Sequence, residues 1–385
     1  MRCALFTVTL CIALVNAHLA AWHKGMYCLD GNTGSVDLNA NAPTTPLYML
    51  PKSQWWFHHV NGCDNFPPKE GDFLELPAGK EFTVEISANR ATTSLSYDGK
   101  YMSDWVDGQN YPDNFSMSPG CITTPNMHTQ NESMAAGTAF AISYQSDIKQ
   151  VTPENLVVFS VRYHTPWKRV TSYSVPAALP ACPPGGCICA WGWVPNGCGE
   201  PNMYHQAFKC KVTGATATAP VAVGKPPVWC EDDRSKCVKG AKQMIYWNQL
   251  DGNNIQVSGQ DLSGMPKSPA YNNKLGFADG AQNDIFAPPS SGGSGSGSGA
   301  SNPVPSSTPS SKPPVGTTIV PAPAAPSPSA STPPGSSTGG GSGHCPPKRP
   351  KRSTPSQTLS CPALDPHRTL PAANKSSTLK LPRGI

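Results

Sequence analysis

Leu156-Val157-Val158-Phe159-Ser160-Val161-Arg162-Tyr163 is the stretch on which the fold class turns. Read at a period of two, its β-branched and aromatic side chains fit a pleated strand. Glu81-Phe-Thr-Val-Glu-Ile-Ser87, Ala139-Phe-Ala-Ile-Ser-Tyr144 and the run from Met203 to Val212 share that period. Helical periodicity is scarce, and runs rich in Gly, Pro, Asn and Asp separate the strands. The expectation is an all-β chain, a β-sandwich with large loops in which the chemistry resides.

Outward from these strands, the chain divides by composition. Residues 1–17 carry Arg2, an apolar run from Ala4 to Val15 and then Val15-Asn16-Ala17, the pattern of a cleavable signal peptide. Cleavage after Ala17 makes His18 the first residue of the mature chain. The apolar run is too short to span a bilayer, and no later stretch approaches about 18 apolar residues, so a secreted, extracellular protein is expected and no membrane partner. Residues 18–286 form one domain of about 270 residues, long enough for a sizeable core. Residues 287–343 are rich in Gly, Ser and Pro and read as a disordered linker, since they lack apolar side chains to offset chain entropy. Residues 344–385 form a basic, Pro-rich tail with Cys345, Cys361 and Lys348-Arg-Pro-Lys-Arg352. The tail has no Trp, Tyr or Phe to stack on a sugar, so no binding module is recognisable there.

Charge follows the same division. Residues 18–286 hold 19 Lys and Arg against 23 Asp and Glu, whereas residues 287–385 hold 9 against 1. The basic excess lies in the tail, so a globular nucleic-acid-binding surface is not indicated. Twelve cysteines remain after cleavage, and those of the core, Cys28, Cys63, Cys121, Cys182, Cys187, Cys189, Cys198, Cys210, Cys230 and Cys237, read as a disulfide framework pinning the loops. The close set Cys182, Cys187, Cys189 and Cys198 leaves a zinc site as an alternative, disfavoured because it is not a paired C-x2-C arrangement. Asn114, Asn131 and Asn374 head glycosylation acceptor triplets.

The histidines carry the chemistry. An N-terminal His18 offers its α-amine and a ring nitrogen to one metal ion. A distant imidazole would complete a three-nitrogen site suited to copper. His128 lies in the loop Thr123-Thr-Pro-Asn-Met-His-Thr-Gln130, a good position for that ligand. His23 reads as a surface or outer residue, His58 and His59 as packing or a sugar-facing patch beside Trp55-Trp56-Phe57, and His164 as structural or supporting. On a strand from Met203, Tyr204, Gln206, Phe208 and Cys210 share one face and His205 faces away. Gln206 followed by Phe208 is a pair that copper-oxygen sites use, the amide to position an oxygen species and the aromatic to shield an axial position, although packing alone explains it as well.

His18-Leu-Ala-Ala-Trp-His-Lys-Gly-Met-Tyr-Cys28, Trp55-Trp-Phe-His-His-Val60, Pro125-Asn-Met-His-Thr-Gln-Asn-Glu-Ser133 and Ile188-Cys-Ala-Trp-Gly-Trp193 closely resemble fungal lytic polysaccharide monooxygenases of auxiliary activity family fourteen. The resemblance spans the core, residues 18–286. It implies an immunoglobulin-like or fibronectin-like sandwich holding one copper per chain in a histidine brace. It also implies oxidative cleavage of xylan coating cellulose fibres with H2O2 or O2 and an external electron donor, by a monomer. His18 and His128 would be the brace and Gln206 the oxygen-positioning amide. The axial residue would be Tyr204, as the family's tyrosine, or Phe208. Trp22, Tyr27, Trp55 and Trp56 are the aromatic candidates for polysaccharide contact, with about half expected to be core. Two other readings compete: a non-catalytic copper-binding cell-wall protein with the same brace, and a glycoside hydrolase using Glu231-Asp232-Asp233 or Asp104 with Asp107, whose spacing selects no acid and base.

Overall fold

A computed structural model describes residues 18–117, 120–198, 201–262 and 264–288. The expected signal peptide, the expected linker beyond residue 288, the basic tail, Asn374 and the two tail cysteines lie outside the described residues. Among the described residues nine strands form two sheets: β1 (Ala20–Trp22), β2 (Leu74–Pro77), β3 (Glu81–Ser87), β4 (Thr138–Ser143), β5 (Val157–Arg162), β6 (Val170–Ser174), β7 (Cys187–Trp193), β8 (Tyr204–Thr213) and β9 (Gly280–Ala281). A three-stranded sheet runs β1-β3-β6 and a six-stranded sheet runs β2-β8-β7-β4-β5-β9. All pairings are antiparallel except that of β2 with β8. The four strands expected from periodicity appear as β3, β4, β5 and β8. Helix among the described residues is confined to Lys52–Trp55 and several short 3-10 turns.

The sandwich core lies between the sheets, where Trp22, Val84, Phe140, Phe159, Trp191 and Phe208 pack together. A second core covers the outer face of the larger sheet. There Ala139, Val158, Ile188 and Ala207 meet Trp55, Phe57, Tyr246, Tyr271 and Phe277 from long loops. The larger sheet is therefore buried on both faces, and every residue of β7 is buried. Gly192 in the middle of Trp191-Gly-Trp193 fits this crowding, because a Cβ there would lie 2.5 Å from the Tyr271 hydroxyl.

All ten core cysteines pair: Cys28–Cys63, Cys121–Cys198, Cys182–Cys187, Cys189–Cys210 and Cys230–Cys237. The zinc alternative falls with that pairing, since no thiolate of the close set is left to bind a metal. Register places the start of β1 beside the end of β3 through Ala20 and Ser87. The end of β7 likewise lies beside the starts of β8 and β4, through Trp193 with Tyr204 and Thr138. The segments 88–111, 120–137, 194–198 and 201–203 thus emerge at one end of the sandwich, and His18 lies there.

Candidate metal centre

His18 is half-buried, two residues before β1. Its Nδ1 lies 3.3 Å from the Tyr204 hydroxyl and 3.3 Å from the Asn126 side-chain nitrogen. Tyr204 opens β8 and stacks on Trp193 with ring centroids 4.6 Å apart. His128 also lies against that stack, its ring 5.8 Å from Trp193. One aromatic pair therefore backs both imidazoles.

His128 is carried by a short hairpin. Ile122 and Thr129 bridge across it, the His128 amide donates to the Ile122 carbonyl at 3.0 Å, and Cys121 ties its base to Cys198. The residue holds a left-handed backbone, φ 46°, a conformation that costs a non-glycine residue of order 1 kcal/mol or more and is retained where neighbours enforce it. The residue is only 5% exposed, and Nδ1 lies 2.8 Å from the Cys198 carbonyl. A carbonyl only accepts, so Nδ1 carries the proton and Nε2 presents a lone pair. That is the tautomer a metal-ligating imidazole needs, fixed by its outer hydrogen bond.

Among the described residues no group of three or more His, Cys, Asp and Glu is placed to hold a metal. A centre here would have to be built from two imidazoles and, were the chain cleaved after Ala17, the His18 amine. That nitrogen set suits copper and lacks the carboxylates that hard cations require.

The other candidates sort differently. Tyr204 and Phe208 do share a strand face, but Phe208 lies four residues along β8, roughly 13 Å away at strand rise, buried in the inter-sheet core against Phe140. Phe208 as the axial residue is thereby corrected, and the side chain at His18 is Tyr204. Gln206 is corrected too: its carbonyl accepts the Ala21 amide at 3.0 Å and its nitrogen donates to the Pro43 carbonyl at 2.6 Å. Its amide is committed to joining the sheets and to the Pro43 loop. Asn126, which sequence reasoning passed over although it stands two residues before His128, is the side-chain amide at the His18 ring.

Of the four aromatic contact candidates, Trp22, Tyr27 and Trp55 are buried and Trp56 is half-buried. Trp22 faces the sandwich core and donates to the Ser87 carbonyl. Tyr27 and Trp55 belong to the second core, and Trp56 packs on Trp55, Phe57 and Tyr246. The exposed tyrosines of the loop leaving β3 are Tyr97, 36% exposed, and Tyr101, 49% exposed, with ring centroids 5.2 Å apart.

His205 does face away from Tyr204, into a cage of Trp55, Trp56, Phe57 and Tyr246. Burial, with a smaller contribution from nearby His58, drives its pKa down to about 3. His58 is buried between the His205 and Thr45 carbonyls, and burial lowers its pKa as well. Burial takes His23 down to about 4. His59 is exposed and pairs with Asp64, and His164 is exposed beside Tyr163. Four of the carboxylates of the hydrolase reading are engaged locally: Glu231 faces Lys274, Asp232 faces Lys267, Asp233 caps a turn at Ser235, and Asp107 accepts from Tyr111. Asn114 is exposed and Asn131 is half-buried, its carbonyl capping a turn at Met134.

A β-sandwich presenting two imidazoles at one end, one of them on the residue that follows a cleavage motif, matches the class of copper-dependent monooxygenases. The comparisons with known proteins make the class a family. The sequence model of lytic polysaccharide monooxygenase AA14 matches residues 1–383, and the chain belongs to that family. It is 36% identical over 293 residues to AA14 family lytic polysaccharide monooxygenase B of Pycnoporus cinnabarinus, covering 73% of this chain and 73% of that protein. Monooxygenase A of Trametes coccinea (strain BRFM310) is 38% identical over 283 residues, 70% of this chain and 61% of that protein. Monooxygenase B of Talaromyces rugulosus is 36% identical over 290 residues, 73% of this chain and 96% of that protein. Membership makes the chain an oxidoreductase of the copper-dependent lytic polysaccharide monooxygenase class.

Proposed function

We propose that the mature, secreted chain cleaves glycosidic bonds of xylan coating cellulose fibres, holding one copper between His18 and His128 and using H2O2 or O2 with an external electron donor. The observation that carries the site is the 2.8 Å hydrogen bond from His128 Nδ1 to the Cys198 carbonyl, which makes Nε2 the lone-pair nitrogen a metal would take. His18 would supply its amine and Nδ1. Bound copper supplies the redox chemistry that activates the oxidant. The chain's own residues fix geometry. Cys198 orients one imidazole, and the Trp193–Tyr204 stack backs the centre. The Tyr204 hydroxyl, 3.3 Å from His18 Nδ1, would stand beside the bound metal.

A fibre-bound polysaccharide cannot enter a deep pocket, so contact is made on the loop surface around His18. Tyr97 and Tyr101 are exposed rings on a loop that leaves this end of the sandwich, and they take the role that the buried Trp22, Tyr27 and Trp55 cannot. Buried Arg90 makes that loop rigid by donating to Asp30 and to the Leu29, Asp37 and Leu95 carbonyls. Ordered rings lose little freedom on binding.

The test is a copper titration with EPR detection on secreted protein whose N-terminus has been sequenced. An N-terminus at His18, one tight site and its loss in His128→Ala are expected, followed by release of oxidised xylo-oligosaccharides only with reductant. Copper binding unaffected by His128→Ala would overturn the site. Copper binding without products would leave a non-catalytic copper protein.

A further inference from the structure

We propose that Asn126 is the positioning residue for the small exogenous ligand of the metal centre, a water or anion at rest and the oxidant in turnover; this rests on the brace reading above. Asn126 is 2% exposed, yet its carbonyl oxygen has no hydrogen-bond partner among the described residues. Its nitrogen lies 3.3 Å from His18 Nδ1.

Without metal, the amide N–H donates to the Nδ1 lone pair. That lone pair is the one a metal takes. Metal uptake therefore removes the acceptor of a buried amide whose other end is already unsatisfied, an arrangement that folded proteins avoid. The polar species that enters with the metal is whatever small molecule completes its coordination. A side-chain amide suits it, because the NH2 donates to an anion or oxygen and the carbonyl accepts from a water.

The backbone holds Asn126 for this task. Met127 donates to the carbonyls of Pro125 and Ile122, and His128 donates to Ile122, so Asn126 and the ligand His128 move as one hairpin. Gln206, which shares the Tyr204 face of β8, is by contrast committed to Ala21 and Pro43.

The experiment uses the copper-loaded mature protein, with azide as the anion probe, and compares wild type with Asn126→Ala and Asn126→Asp. Calorimetry reads copper affinity, and EPR of the Cu(II) protein reads azide binding. Both variants are expected to bind copper within about threefold of wild type. Azide affinity should fall roughly tenfold in Asn126→Ala, the size of a lost hydrogen bond to a charged acceptor. It should fall further in Asn126→Asp, where a carboxylate faces the anion. Azide affinities within about twofold of wild type in both variants would overturn the assignment. So would a parallel loss of copper affinity of tenfold or more, which would make Asn126 a support of the hairpin. Failure of the wild-type protein to bind copper would instead sink the brace reading beneath it.

Discussion

Opening the Cys121–Cys198 bridge tests whether the loop framework builds the metal centre. Cys198 acts twice: its sulfur ties the base of the His128 hairpin, and its carbonyl receives the His128 Nδ1 proton. Replacing both cysteines by alanine releases a loop with a sequence separation of 77. The chain-entropy relation gives about 4.5 kcal/mol for a loop of that size, and native bridges commonly deliver about 2–4 kcal/mol. The backbone carbonyl at position 198 remains after the substitution, but the segment bearing it is no longer held against the hairpin. Copper affinity is therefore expected to fall roughly tenfold, equivalent to about 1.4 kcal/mol.

The control is the Cys230→Ala/Cys237→Ala pair, whose bridge has a sequence separation of 7 and carries no residue of the histidine site. The same relation gives it about 2.3 kcal/mol. It should lower stability and leave copper affinity alone. Denaturant unfolding of the metal-free proteins and calorimetric copper titration separate the two effects. Copper affinity within about twofold of wild type in the Cys121/Cys198 variant, alongside the expected loss of stability, would refute the reasoning. The hairpin's own bonds from His128 to Ile122 and from Ile122 to Thr129 would then be enough to place the ligand.

Tyr204→Phe keeps the stack on Trp193 and removes the hydroxyl at His18, so the copper EPR spectrum should change while the unfolding midpoint moves by no more than a few degrees; an identical spectrum would argue against an axial Tyr204. The neutral His205 ring stabilises the fold above its unfolded pKa of 6.5, and that contribution is lost as the pH falls toward its folded value of about 3, reaching about 2.5 kcal/mol near pH 4.5. His205→Phe should shrink the stability difference between about pH 7 and about pH 4.5 by that amount in urea unfolding, and an unchanged difference would assign the acid lability elsewhere. Tyr97→Ala with Tyr101→Ala should weaken binding to xylan-coated cellulose at least threefold with copper affinity unchanged, in a pull-down read against soluble oligosaccharide, with equal retention counting against an aromatic platform there.

Strands were legible because side-chain period is a local property: the alternation in Glu81–Ser87 is enough to place β3 without knowing what covers it. Histidines 18 and 128 became candidates for similarly local reasons, one from a cleavage motif and the other from a Pro- and Asn-containing loop. Depth along a strand is not local. Tyr204 and Phe208 occupy the same face of β8, and only tertiary register decides between them: Trp193 pairs with Tyr204 at the loop end, whereas Phe208 pairs with Cys189 inside the sandwich. Exposure is equally non-local, and this is where the aromatic candidates went wrong. Trp55 looks like a surface ring beside His58 and His59 until loops from both ends of the domain stack Tyr246 upon it, 5.2 Å away, and make a second core. Gln206 fails as an oxygen-positioning residue for a related reason. An amide between two sheets is drawn into backbone hydrogen bonds unless the fold keeps those groups satisfied elsewhere. Asn126 escapes that fate because its hairpin bonds are made by its neighbours Met127 and His128, which leaves its amide to the His18 ring. Its signal was present in Asn126-Met-His128, two polar side chains two residues apart in a Pro-bearing loop. Reading that spacing as one site requires knowing that the loop folds back onto the N-terminus.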